Sequence, residues 1–148
     1  MTATPDERPG SPSGPEIGKR PLARPLLLYN GGCRFCRWLA RAVVRLDVDE
    51  ALAFLSIWDD AAKAVVDAIP KDDRLTGWHI VLTDGTRLSG GPGVVRLLEE
   101  LRWTRWLGTC CRVLGLTRWL GDVDAFIAQR KGRLGRRVPD GEAPHRFP

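Results

Sequence analysis

A single α/β domain, a small mixed β-sheet flanked by helices, is what this sequence predicts, and three observations carry the prediction. The apolar run Leu26-Leu27-Leu28-Tyr29 passes through Asn30-Gly31-Gly32 into a stretch whose apolar residues recur at helical spacing. Apolar runs and helical stretches then alternate in the order β-α-β-α-β-β-α, which in one short chain makes a sheet layered with helices. The 148 residues, 43% of them hydrophobic, suffice for one core and hold no run long enough to span a membrane.

Residues 1–24 are expected to be a disordered leader, because Met1 to Gly18 is rich in Pro, Gly, Ser and Thr. The leader lacks the basic and apolar regions of a signal peptide, so a cytoplasmic protein is expected. The folded domain is placed at 25–131, starting with a strand over Leu26–Tyr29. A helix from about Cys33 to Leu46 follows, with Phe35, Trp38, Leu39, Ala42, Val43 and Leu46 at apolar spacing. Arg34, Arg37, Arg41 and Arg45 stripe another face, which is expected to be solvated, with Arg34 and Arg37 adding positive potential near the thiols as the sharper reading. Leu52 to Ile57 reads as a second strand. Asp59 or Asp60 caps a short helix that Pro70 stops.

Trp78 to Leu82 reads as a third strand, and Asp84-Gly85 turns it into Thr86-Arg87-Leu88. His79 is expected to be structural, having no acid or nucleophile beside it in sequence. Gly90-Gly91-Pro92-Gly93 reads as a loop before a helix from Val94 to about Leu101. Leu101 to Leu120 is rich in Arg and Trp. Trp103, Trp106, Leu107, Cys110 and Leu114 are expected to line a face packed on the core, with Arg102, Arg105 and Arg112 opposite. The alternative is an interfacial helix on a membrane surface. A last helix starts at Asp122 or Asp124 and runs to about Lys131. Residues 132–148 then form a basic tail containing Pro and Gly.

Chemistry points to Cys33-Arg34-Phe35-Cys36. A helix N-terminus offers unpaired N–H groups and partial positive charge, which favour a thiolate. The second thiol, one turn on, can close or resolve a disulfide. C-x-x-C beside a β–α pattern reads as a thioredoxin-like redox motif. Half a zinc site has the same spacing but needs two more ligands. The remaining cysteines, Cys110 and Cys111, are adjacent, and His79 and His145 are isolated. Inert buried thiols are the other alternative.

The octapeptide Tyr29-Asn30-Gly31-Gly32-Cys33-Arg34-Phe35-Cys36 resembles the start of the DCC family of predicted thiol-disulfide oxidoreductases (DUF393), whose pattern is Y-D-G-x-C-x-x-C. The resemblance extends from residue 26 to about 137 and includes the Ile80–Leu82 strand, the Gly93–Leu101 helix and the closing segment Val123 to Arg130. It implies a thioredoxin-like fold with extra C-terminal helices and thiol redox chemistry. Asn30 stands where the family has its aspartate, so a side chain that can carry charge or a proton is replaced by one that only hydrogen-bonds. Thioredoxins proper also place a cis-proline before the strand facing the disulfide; here Thr76-Gly77 stands there.

The expected activity is thiol–disulfide exchange, with Cys33 attacking and Cys36 resolving, on a protein or small-molecule disulfide. It calls for no bound cofactor, only a redox partner that restores the dithiol. The alternative is a non-catalytic thioredoxin-fold module docking through its C-terminal half. Charge is uneven: residues 1–100 hold 13 Lys+Arg against 14 Asp+Glu, and residues 101–148 hold 10 against 4. Weak contact of that basic end with an anionic membrane is expected, and nucleic acid is not.

Overall fold

The computed structural model describes residues 22–75 and 77–147. The expected leader lies outside them except for its last three residues. The sheet has four strands, β1 (Leu26–Tyr29), β2 (Ala53–Ser56), β3 (His79–Val81) and β4 (Arg87–Ser89), in the order β2-β1-β3-β4. β1 runs parallel to β2, with Leu27 opposite Phe54, and antiparallel to β3, with Leu27 opposite Ile80. β4 completes an antiparallel hairpin with β3. Gly85 turns it at φ 93°, a conformation open to glycine.

Strand alternation divides the core into two layers. Leu26, Leu28, Ala53 and Leu55 point to one face, where Val65, Val66 and Ile69 cover them. Val65 and Val66 belong to the short helix α2 (Lys63–Asp67) and Ile69 to the loop after it, and Ala62 of the preceding 3-10 turn (Asp60–Ala62) joins the same layer. Asp59 caps the turn by accepting from the Ala61 N–H at 2.9 Å. Leu27, Tyr29, Phe54 and Ile80 point the other way, against α1 (Arg34–Leu46) and α3 (Gly90–Glu100). This is a thioredoxin-like α/β fold, as expected from the order of elements.

Two further helices, α4 (Arg105–Val113) and α5 (Thr117–Gly135), pack on α3, and α5 also meets α1. They account for most of the differences from the sequence reading. Gly90 to Gly93 is the first turn of α3 and not a loop. Gly91 sits where the α5 backbone crosses: a Cβ there would run into the Thr117 carbonyl and lie 2.8 Å from the Gly121 nitrogen. Its glycine serves close helix packing, which outweighs weak local propensity. The expected core face of the Arg/Trp-rich stretch is also wrong. α4 buries Gly108 and Cys111 against α3, while Trp103, Trp106, Leu107, Cys110 and Leu114 are exposed. The chain breaks at Gly115 (φ 68°), and α5 begins five residues before Asp122.

The expected boundary at residue 131 falls inside α5, and the segment beyond it folds back on the domain. Arg146 and Phe54 exchange both backbone hydrogen bonds, at 2.7 and 3.0 Å, which covers the open edge of β2. The Arg146 guanidinium meets buried Asp47 at 2.7 Å and stacks over the Phe54 ring. The Tyr29 hydroxyl donates to the Pro144 carbonyl at 2.5 Å. Arg37 and Arg41, expected on a solvated face, instead hold Asp140 and the Pro139 carbonyl. His79 is buried and structural: its Nε2 faces the Asp73 carbonyl at 3.1 Å and its Nδ1 the Ser89 hydroxyl at 2.6 Å. Burial lowers its pKa, so the neutral ring donates through Nε2 and accepts at Nδ1.

Candidate active site

β1 delivers the chain at full burial to Asn30, and the next two residues reverse it into α1. The turn is held from several sides. The Asn30 side-chain oxygen accepts from the Gly32 N–H at 3.0 Å and from the Trp58 indole N–H at 2.9 Å. The Ser56 hydroxyl accepts from the Gly31 N–H at 3.2 Å. Arg37 reaches back from α1 to donate to the Gly31 carbonyl at 2.7 Å. Gly31 must be small: a Cβ there would overlap the Ser56 hydroxyl and lie 2.9 Å from the Ser56 Cβ.

Cys33 is the N-cap of α1, with extended backbone, one position earlier than its expected place inside the first turn. Its sulfur accepts from the Cys36 backbone N–H at 3.4 Å, taking the role a serine or aspartate oxygen fills at other helix starts. Cys36 lies one turn on, in the buried stripe Cys36–Ala40–Val43 that faces the core. The apolar face of α1 is therefore rotated from the expected one, and Leu46 is exposed.

The two thiols occupy different environments. Cys33 is half-buried and Cys36 is buried. Burial pushes the Cys36 thiol from its ordinary 9.0 up to about 12. The neighbouring Cys33 raises it further, and the Lys131 ammonium pulls against the rise. Lys131 projects from α5 and donates to the Leu75 carbonyl. An apolar cavity of about 280 Å³ opens beside Cys36, between α1, α3, α5 and Leu75, Gly77 and Trp78. Phe35, Leu39, Trp78, Leu120, Val123 and Ile127 contribute to its apolar wall. Asn30, Asp124 and Lys131 are the polar residues on its lining, and burial raises the Asp124 pKa.

The structure thus brings both sequence-predicted site residues to one helix start. Sequence reasoning set Arg37 near the thiols as a source of positive potential but missed its hold on the Gly31 carbonyl, and it missed Lys131, Asp124 and Trp58. Those three lie 22 to 95 residues from Cys36 with no local motif. Cys110 and Cys111 are elsewhere, on α4, the first exposed and the second buried. Among the described residues no group of three or more His, Cys, Asp or Glu is arranged to hold a metal ion.

A strand, a glycine turn and a helix capped by the first cysteine of C-x-x-C define a thioredoxin-like dithiol protein. The chain belongs to the DCC1-like thiol-disulfide oxidoreductase family, whose model matches residues 27–137 and so takes in the sheet, the thiols and all of α5. No curated protein and no solved structure matches the chain.

Proposed function

We propose that this chain catalyses thiol–disulfide exchange, with Cys33 as the attacking sulfur and Cys36 as the resolving one. The observation that carries the reading is the Cys36 N–H directed at the Cys33 sulfur at 3.4 Å. At a helix start that donor stabilises negative charge on the sulfur it meets. Cys36, pushed to about 12, stays a thiol at neutral pH until the second step needs it. The Cys33 thiolate attacks one sulfur of the substrate disulfide, and the other leaves as a thiolate that takes a proton. Cys36 then loses its proton and attacks the Cys33 sulfur, forming the Cys33–Cys36 disulfide and releasing the second substrate thiol. The substrate gains two electrons and two protons; the dithiol loses both. An external thiol reductant restores it, and the same steps reversed oxidise a dithiol substrate. Lys131 favours the Cys36 thiolate in the second step.

The cavity beside Cys36 suits the apolar group next to the substrate sulfur, whether a side chain or a small molecule. A reducing compartment such as the cytoplasm fits four cysteines without a scaffold pattern. A second reading, a binding module docking through residues 101–148, is favoured by the exposure of Trp103 and Trp106. The two part on one experiment. With glutathione disulfide, the Cys36→Ser variant should accumulate a mixed disulfide on Cys33, and Cys33→Ser should accumulate little. Equal trapping by both variants would remove the assignment of roles; no trapping by either would favour the binding module.

A further inference from the structure

Helix α4 is apolar on two sides. Gly108 and Cys111 pack on α3. At about 100° per residue, Trp106, Leu107, Cys110 and Val113 share a second arc, about 120° wide, directed away from that contact. Trp103 just before the helix and Leu114 just after it have wheel angles in the same arc. These are not marginal exposures: Trp103 is 66%, Trp106 67%, Val113 78% and Leu114 71% exposed. A solvent-facing helix surface ordinarily carries polar residues, so a contiguous apolar arc marks a contact surface.

The surrounding charge narrows the occupant. Between residues 101 and 121 the chain has four arginines, at 102, 105, 112 and 118, and no Asp or Glu. Arg105 and Arg112 fall on the arc flanking the apolar one. Arg102 and Arg112 reach Asp49 and Glu99 at 3.6 and 3.1 Å, yet their side chains stay 71% and 61% exposed. A second copy of the same face would set arginine against arginine across a two-fold axis, which is repulsive. Residues 1–21 offer only Met1, Ala3 and Ile17 as apolar side chains in proline-rich sequence, too little to cover Trp103, Trp106, Val113 and Leu114. Tryptophan beside arginine is the combination that settles at a bilayer interface, the indoles among the headgroups and the guanidinium groups on the phosphates.

We propose that α4 is a docking face for an anionic lipid bilayer, with Trp103, Trp106, Val113 and Leu114 entering the headgroup region and the arginines meeting lipid phosphate. Docking is peripheral, since no helix among the described residues is long and apolar enough to cross a membrane. It goes beyond the proposed redox activity and does not depend on it.

The test is flotation of the full chain with phosphatidylcholine vesicles, with and without phosphatidylglycerol, at low and physiological salt. The expected result is binding to the anionic vesicles, with a blue shift of tryptophan emission and quenching by brominated acyl chains. Removing one large apolar anchor with Trp106→Ser should weaken partition by roughly tenfold. Arg102→Gln and Arg105→Gln should weaken it by about fivefold each, and more visibly at low salt. A Cys33→Ser/Cys36→Ser variant should bind as the wild type does. Absence of binding at low salt overturns the proposal. So does binding without spectral shift or quenching, which is charge adhesion by the whole basic end. A dimer in sedimentation that Trp106→Ser dissolves would assign the face to a second copy. A tryptophan shift on poly-glutamate but not on vesicles would assign it to an acidic polypeptide.

Discussion

Cys36 is where burial and reactivity meet. Its ordinary pKa of 9.0 is raised to about 12, chiefly by burial, and that of Tyr29 rises from 10.0 to about 12 for the same main reason. A raised folded-state value means that the folded protein holds its proton while the unfolded chain has lost it. Stability from these groups is complete below about pH 9 and drains away as pH climbs towards 12. Cys36 steepens the loss between about pH 9 and 12, and Tyr29 between about pH 10 and 12, each by at most about 1.4 kcal/mol per pH unit. Urea unfolding across an alkaline series should show the slope, and Cys36→Ala should flatten it by one group's share. Asn30 gives a second expectation. Its side-chain oxygen accepts two N–H bonds, a role that a carboxylate oxygen fills equally, so the family's aspartate fits the same place. Asn30→Asp should fold with an unchanged midpoint while its new negative charge disfavours a nearby thiolate. Iodoacetamide labelling of Cys33 at neutral pH should then slow by roughly two- to tenfold. An unchanged rate would show that the charge is screened from the sulfur.

At the scale of elements, the turn before α1 is the tightest local fit. Gly31→Ala pushes a methyl group into Ser56 and should cost about 1–3 kcal/mol. Adding Ser56→Gly removes both clashing atoms and should recover part of the loss in chemical denaturation, because the hydroxyl's two accepted bonds go with it. This turn was legible in the sequence because strand, glycines and cysteines are contiguous and their chemistry is local. β1, β2, β3 and α1 were legible for the same reason: apolar runs bounded by turn residues. What was not legible depended on neighbours distant in sequence. Gly90 to Gly93 read as a loop because glycine disfavours helix, and only the crossing of α5 over Gly91 explains the helix there. The inward face of α4 was misassigned because size was taken as the mark of burial. The contact with α3 needs a small residue, Gly108, whose Cβ would lie 2.8 Å from the Glu99 nitrogen. The large residues were thereby left outside.

The whole molecule is closed by its last residues. Arg146 joins β2 through its backbone and Asp47 through its side chain, while Asp47 also accepts from the Ala51 and Leu52 N–H groups at 2.8 and 3.1 Å. Arg146→Ala leaves that buried carboxylate without its cation and should cost about 1–3 kcal/mol. Truncation after Val138 should cost more, since the edge of β2 and the Tyr29 hydroxyl also lose partners; thermal unfolding of the two variants gives the order. The same segment braces Arg37, which clamps the Gly31 carbonyl, so the far end of the chain bears on the turn that carries the thiols. Sequence showed neither link, because the partners are about a hundred residues apart. It did show the pair on which the functional account rests. The most direct measurement is equilibration of the native chain in glutathione buffers of graded potential, then acid quench, alkylation and peptide mapping. The account predicts a reversible, two-electron Cys33–Cys36 disulfide, with Cys110 and Cys111 remaining alkylatable throughout. Cys33 and Cys36 that stay fully alkylatable in the most oxidising buffer, in a chain still folded by circular dichroism, would contradict it.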